Sequence, residues 1–404
     1  MINNKKVSVF LAIAALLSST AACSDSSTER ADSHVSNHTI EQNNADKPSF
    51  STQAVASFNE PWAMTALPHT ANEPLKLLVT QKSGELFIID TVTGIKTVVS
   101  GVPKVAYGGQ GGLGDIILAP DFATSKRVYL SYAEAGDNNT FGAKVITAQL
   151  TGLASATPSL QAITAIWQQT PKVKGQGHYS HRLLFSPDGR YLYISSGDRQ
   201  KQDPAQDMSV NLGKIIRLNP DGSIPRDNPF VHNNRSKNNE IVQQFWTLGN
   251  RNVLGMAFDD TGRLWAHEMG PRGGDEFNLI EKGSNYGWPI ISNGRHYSGI
   301  DIPDHDTRPE FEPPKVTWTP VISPSSMSIY AAGSHNDFPA WQGNVLISGL
   351  SSKALIVVTL ADTHNATERY RYDMGERVRS VLAVDGEVWL LEDGSKARLL
   401  KLIP

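Results

Sequence analysis

A chain of 404 residues is too long for one ordinary hydrophobic core, so it holds either several domains or one large repetitive one. Lys and Arg total 37 against 40 Asp and Glu, a formal charge of −3, which leaves no field to gather phosphate backbones and excludes a general nucleic-acid binder. With 33 Gly, 23 Pro, 39% hydrophobic and 19% charged residues, the composition is that of a turn-rich globular protein of many short strands, not of a coiled coil, a collagen or a disordered chain.

Asn3, Asn4, Lys5 and Lys6 precede an apolar run from Val7 to Leu17 and the small residues Ser18 to Ala22, the order of an export signal over residues 1–22. The run is too short to span a bilayer as a mature anchor. Cys23, the one cysteine, follows Thr20-Ala21-Ala22, the setting in which a lipoprotein signal places the thiol that is acylated. Thr20 stands where such signals usually carry Leu, so ordinary cleavage beside an incidental cysteine stays open. Past Cys23 there is no thiol, and the body carries no disulfide. Polar residues dominate from Ser24 to about Phe50, so residues 23–51 read as a flexible tether and 52–404 as the folded body. The expected location is the periplasm, with a lipid anchor in the outer membrane as the only membrane attachment.

Along the body, two short apolar runs hinged at a polar turn recur six times, the pattern of a hairpin with alternate side chains facing a core. The pairs are Leu77–Thr80 with Leu86–Ile89, Ile116–Leu118 with Val128–Leu130, Leu183–Phe185 with Tyr191–Ile194, Met256–Phe258 with Leu264–Trp265, Ile329–Tyr330 with Val345–Ile347, and Val381–Val384 with Val388–Leu391. Six units in a body of about 350 residues give about 60 each, which fits four-stranded blades with loop insertions. The predicted fold is all-β, a six-bladed β-propeller; the uneven spacing leaves a seven-bladed or paired-sandwich arrangement open. Gly, Pro, Asn and Asp interrupt nearly every window long enough for an amphipathic helix.

Propeller blades converge on an axis, so loops on one rim bring distant residues around one funnel. Four constellations are candidates. His178 sits in Gly175-Gln176-Gly177-His178, where an imidazole is free to take a proton from a hydroxyl, and Asp198 returns on the same hairpin to orient it. Arg251 and Asn252 offer fixed donors to an anionic or quinonoid oxygen. His267-Glu268-Met269-Gly270-Pro271 through Asp275-Glu276, followed by Lys282 to Pro289, offers the carbonyls and carboxylates a hard cation such as Ca²⁺ takes, and lacks the second His that a helical zinc motif would need after His267. Arg377 and Arg379, alternate along a strand, can turn both guanidinium groups into one cavity to hold carboxylates. By residue type alone, each also fits a structural role: a solvated loop His, a turn-capping Asp, an inter-blade salt bridge, a Gly-rich turn, a basic edge.

Read together and in order, Gly109-Gln110-Gly111-Gly112-Leu113-Gly114, the segment Gly213 to Pro225, Gly249-Asn250-Arg251-Asn252, and Gly270-Pro271 to Asp275-Glu276 with Asn285-Tyr286-Gly287-Trp288-Pro289 resemble the soluble pyrroloquinoline quinone (PQQ)-dependent sugar dehydrogenases. This is the glucose/sorbosone dehydrogenase family, in its aldose sugar dehydrogenase branch, and the likeness runs from Pro61-Trp62 to the C-terminus. The resemblance implies a six-bladed propeller that oxidises aldoses at C1 to lactones by hydride transfer to PQQ, with an external electron acceptor. It implies His178 as general base, Asp198 as its partner, and Arg251 and Asn252 beside the reacting carbonyl of the quinone. Gly270 and Pro271 match ligands of a catalytic Ca²⁺, and Glu276 and Tyr286 those of a structural one. Gln110, Arg377 and Arg379 match cofactor contacts. Ser351 stands where the family commonly has Lys, in Ser348-Gly349-Leu350-Ser351-Ser352-Lys353, so Lys353 becomes the candidate for that contact and the affinity for PQQ is expected to be weaker. A Ca²⁺-dependent lactonase-type propeller and a non-catalytic sugar- or protein-binding propeller remain rivals; the scarcity of side-chain ligands near the proposed catalytic ion argues against the first. Asn293 to Pro314 carries no readable pattern for sugar choice.

Overall fold

A computed structural model describes residues 46–404 apart from 71, 233–238 and 363. The export signal and Cys23 lie outside the described residues, as does most of the tether. The described body is a six-bladed propeller of six four-stranded antiparallel sheets. The innermost strands of blades one to six are Pro61–Ala66, Leu113–Leu118, Ser180–Phe185, Val253–Phe258, Pro324–Ile329 and Val378–Val384. Five of the six predicted hairpins pair the innermost strand of a blade with its second. The first, Lys76–Gln81 with Leu86–Asp90, pairs the second strand with the third, because the innermost strand of blade one is Pro61–Ala66. Among the described residues, helix is confined to single turns such as Phe122–Ser125 and Glu240–Gln243.

Blade six is closed by both ends of the body. Ser51–Phe58 pairs antiparallel with Ala397–Ile403 as the outermost strand of a sheet otherwise built from the C-terminus. Residues just before it are docked: Phe50 packs on Phe338, Trp341 and Tyr372, and Lys47 Nζ donates to the Arg371 carbonyl. The folded body therefore begins a few residues before the predicted boundary.

Each sheet face is buried against the next blade. Leu78, Leu86 and Ile88 pack with Ile116, Val128 and Leu130 between blades one and two, and comparable clusters fill the other five interfaces. At the hub, buried Arg182 of blade three ties four others: it donates to the carbonyls of Leu254 and Ser325 at 2.6 and 2.8 Å, meets Asp115 at 3.4 Å and lies 3.9 Å from the Trp62 ring centroid.

One local feature recurs in all six blades and positions the site. The register between innermost and second strand slips near the start of the innermost strand, at Pro61/Ala63, Leu113/Ile116, Ser180/Leu183, Val253/Gly255, Pro324/Ser326 and Val378/Ser380. A bulge bends its strand and re-aims the neighbouring side chains. The residues just before these strands, Glu60, Gln110, His178, Arg251, Ser323 and Arg377, all line one set of cavities.

Candidate active site

Three cavities with shared walls form this funnel. One of about 1130 Å³ is lined by Gln110, His178, Arg251, Gly270, Pro271 and rim residues. A second of about 300 Å³ is lined by His178, Asp198, Arg251, Trp288 and Tyr297, among others. The third, about 380 Å³, meets the first at Gln110 and carries Arg377, Arg379 and Asp393.

The predicted base and its partner are together. His178 Nδ1 lies 2.7 Å from Asp198 Oδ1, which assigns the Nδ1 proton to that bond and leaves Nε2 as the basic lone pair. The loop holds His178 at a φ of 46°, left-handed backbone that a side chain seldom adopts. Buried Arg199 holds it there, donating to the carbonyls of Gly177, Phe141 and Gly175 with its guanidinium 3.7 Å from the Tyr179 ring. The His178 N–H donates to Gln110 Oε1 at 2.8 Å. Burial pushes the imidazole below its ordinary 6.5, opposed by the Asp198 bond and assisted by the Arg251 charge, so it is neutral near pH 7. Burial would raise the Asp198 carboxyl, yet the bond from His178, the Arg251 charge and the Trp288 N–H hold it below the usual carboxylate range. Trp288 Nε1 donates to Asp198 Oδ2 at 2.8 Å, and the N–H groups of Gln200 and Gln202 also donate to this carboxylate.

Arg251 donates from Nη1 to the Met269 carbonyl at 2.8 Å, while its Nε is buried without a partner. Asn252 accepts from Ser180 Oγ, and its Nδ2 is likewise buried and unpartnered. Arg251 lines the funnel whereas Asn252 lines none of its cavities, so of these two unsatisfied donors the guanidinium is the one placed to meet an acceptor oxygen of a bound group.

Gly270 and Pro271 line the cavity next to Arg251, in a loop shaped by Asp275, which accepts the N–H groups of Gly270, Ile322 and Ser323 at 2.7–2.8 Å. Burial pushes the Asp275 carboxyl up to about 6 in spite of these bonds. Gly270 admits no other residue, since a Cβ there would sit 2.2 Å from the Gly274 carbonyl oxygen. Glu276 pairs in register with Glu268 across the second and third strands of blade four, and both line a cavity of about 10 Å³ with Gly270 and Tyr286, room for about one atom-sized guest. The Tyr286 hydroxyl is turned elsewhere, donating to the Leu279 carbonyl and accepting from the Glu281 N–H.

Arg377 and Arg379 share one cavity as predicted, and the carboxylate they hold is Asp393, at 2.8 Å from each. Lys353 is not brought to the funnel. It follows a tight turn at a φ of 50°, donates from Nζ to the Gly375 carbonyl at 2.9 Å and lines none of these cavities. Ser351 bonds Ser323 Oγ at 2.8 Å instead. Sequence reasoning missed Arg199 and Asp393 as parts of the site and gave Trp288 and Glu268 no role, although Trp288 stands in the Asn285–Pro289 motif and Glu268 in the segment His267 to Glu276.

Residues 58–401 match the family described as Glucose / Sorbosone dehydrogenase. Aldose sugar dehydrogenase YliI of Escherichia coli (strain K12) is 37% identical over 354 residues, covering 86% of this chain and 90% of that protein. The crystal structure of the soluble aldose sugar dehydrogenase (Asd) from Escherichia coli in the apo-form superposes with a TM-score of 0.78 at 36% identity, covering 88% of this chain and all of that one. The PQQ-bound form of aldose sugar dehydrogenase (Adh) from Streptomyces coelicolor does so with a TM-score of 0.69 at 29% identity, covering 88% of this chain and 98% of that one.

Proposed function

We propose that this chain, which belongs to the glucose/sorbosone dehydrogenase family, is a PQQ- and Ca²⁺-dependent oxidoreductase that oxidises aldose sugars at C1 to lactones. The observation that carries this reading is a neutral, carboxylate-oriented imidazole on the same cavity as a guanidinium with an unsatisfied donor. PQQ, when bound, supplies the acceptor for the two electrons that leave C1 with its hydrogen. His178 takes the C1 hydroxyl proton at Nε2 while Asp198 stabilises the imidazolium that results. Arg251 presents positive charge and an N–H donor where oxygen gains electron density, and it does so already oriented. Arg377 and Arg379 suit carboxylates, which guanidinium forks hold bidentately. A Ca²⁺ at the Gly270 and Pro271 carbonyls would add Lewis-acid polarisation.

Purified apoprotein mixed with a reducible dye and a panel of aldoses tests this. Bleaching is expected only when PQQ and Ca²⁺ are both added; lactone hydrolysis without PQQ would instead favour a hydrolase. The same reading places the protein in the periplasm on an acylated Cys23, supported by the order of residues 1–23. Cys23→Ser is expected to move it from the membrane fraction to the soluble one; unchanged fractionation would remove the anchor.

A further inference from the structure

With Lys353 turned to Gly375, the carboxylate-binding end of the funnel keeps Arg377 and Arg379, and both lie against Asp393. One more cation lines that cavity. The Lys82 side chain is 12% exposed; its Nζ donates to the Gly109 carbonyl at 3.0 Å and reaches Glu60 Oε1 only at 3.5 Å. Glu60 is also engaged by the Tyr107 hydroxyl. The ammonium is thus held at the cavity wall by one carbonyl, a long ion pair and the Tyr107 ring 5.7 Å away, weak contacts that a carboxylate can displace.

The position of Lys82 follows from the blade repeat. Second strands end at Gln81, Ser196, Glu268, Gly349 and Glu392 in blades one, three, four, five and six. The residues one or two places beyond are Lys82, Asp198, Met269, Leu350 and Asp393, and every one lines the funnel. Lys82 occupies in blade one the place that Asp393 occupies in blade six, since the N–H of each donates to the carbonyl of the residue just before the innermost strand, Glu60 and Arg377. Across the charged walls, Lys82, Arg377 and Arg379 face Glu60 and Asp393, so without Lys82 the cavity has no net positive charge.

We propose that Lys82 supplies the third cationic contact to the carboxylates of the bound quinone, the place that sequence reasoning gave to Lys353. This rests on the reading of the funnel as a PQQ site. A compact ammonium acts on a carboxylate as a point charge without fork geometry, so the contact tolerates Arg and is sensitive to salt.

Equilibrium binding of PQQ to the full-length apoprotein in Ca²⁺, followed by the absorbance of the quinone with no sugar present, tests the assignment apart from turnover. Lys82→Gln is expected to weaken binding roughly tenfold or more and to flatten its dependence on salt. Lys82→Arg is expected to retain most of the affinity, and Lys353→Gln to bind like wild type. Glu60→Gln, which frees the ammonium from its carboxylate neighbour, is expected to bind at least as tightly as wild type. Melting curves establish that each variant is folded. The assignment is overturned if Lys82→Gln binds as wild type does, or if Lys353→Gln or Glu60→Gln loses as much as Lys82→Gln. A folded wild type that binds no PQQ overturns the cofactor reading itself, and this proposal with it.

Discussion

Replacing His178 by alanine is expected to lower kcat/KM for an aldose by about 10³-fold, within the roughly 10²–10⁴-fold range of a positioned general base. PQQ affinity is expected to stay near that of wild type, because the base acts on the sugar. The imidazole is prepared to accept a proton, since Nδ1 is committed to Asp198 at 2.7 Å and burial pushes its pKa below 6.5, with the Arg251 charge adding to the shift. A base must be unprotonated to work, so a lowered pKa keeps it competent further into acid. The acid limb of kcat/KM against pH should therefore fall below 6.5, and vanish in His178→Ala. Asp198→Asn should also lower kcat, because an amide turned to accept from Trp288 can offer its N–H to Nδ1 and shift the imidazole proton to Nε2. Undiminished dye reduction in His178→Ala, at normal PQQ binding, would sink the role.

What was legible in the sequence depended on how far apart the partners lie. His178 and Asp198 flank the two strands of one hairpin, so their meeting follows from strand direction alone. Trp288, which donates to the same carboxylate, comes from the next blade, 90 residues on, and its contact is set by how the blades pack. Asp393 has no local signal, because the alternation of Arg377 and Arg379 points to a cavity without specifying the carboxylate already in it. Lys353 stands beside a motif yet turns to Gly375, whereas the side chain that reaches the cavity is set by where a second strand ends, and in blade one that is Lys82. The closing strand Ser51–Phe58 has the mixed sequence STQAVASF, and its partner Ala397–Ile403 lies at the opposite end of the chain; no local pattern reports such a pairing. Pro61–Ala66 was passed over because a long polar loop, not a tight turn, joins it to its partner strand.

Calcium is expected to raise the thermal stability of the apoprotein by several degrees, and Glu276→Gln to abolish that response. Glu268 and Glu276 face each other across paired strands, both buried, beside a cavity with room for about one atom. Burial pushes both carboxyls up, and the Glu268 charge pushes Glu276 further, well above 4.5. Such a pair is poorly stabilised as two anions and well suited to a hard divalent cation with oxygen ligands. The signs then oppose each other. Without metal, the folded state holds these protons more tightly than the unfolded chain, so stability falls as pH rises above 4.5 through the raised folded-state value; Asp275 adds to the same trend between 3.8 and about 6. With Ca²⁺, the carboxylates must ionise to bind, so the stabilisation grows over the same window. At a concentration a thousandfold above its Kd, one ion bound only by the folded state contributes about 4 kcal/mol. Calorimetry at pH 5 and pH 8, with Ca²⁺ or a chelator, reads both trends. Glu276→Gln should melt no lower than chelated wild type at pH 8, since it removes a buried like-charge neighbour, yet gain nothing from Ca²⁺. Wild-type melting indifferent to Ca²⁺ at both pH values would show that no such ion is held there.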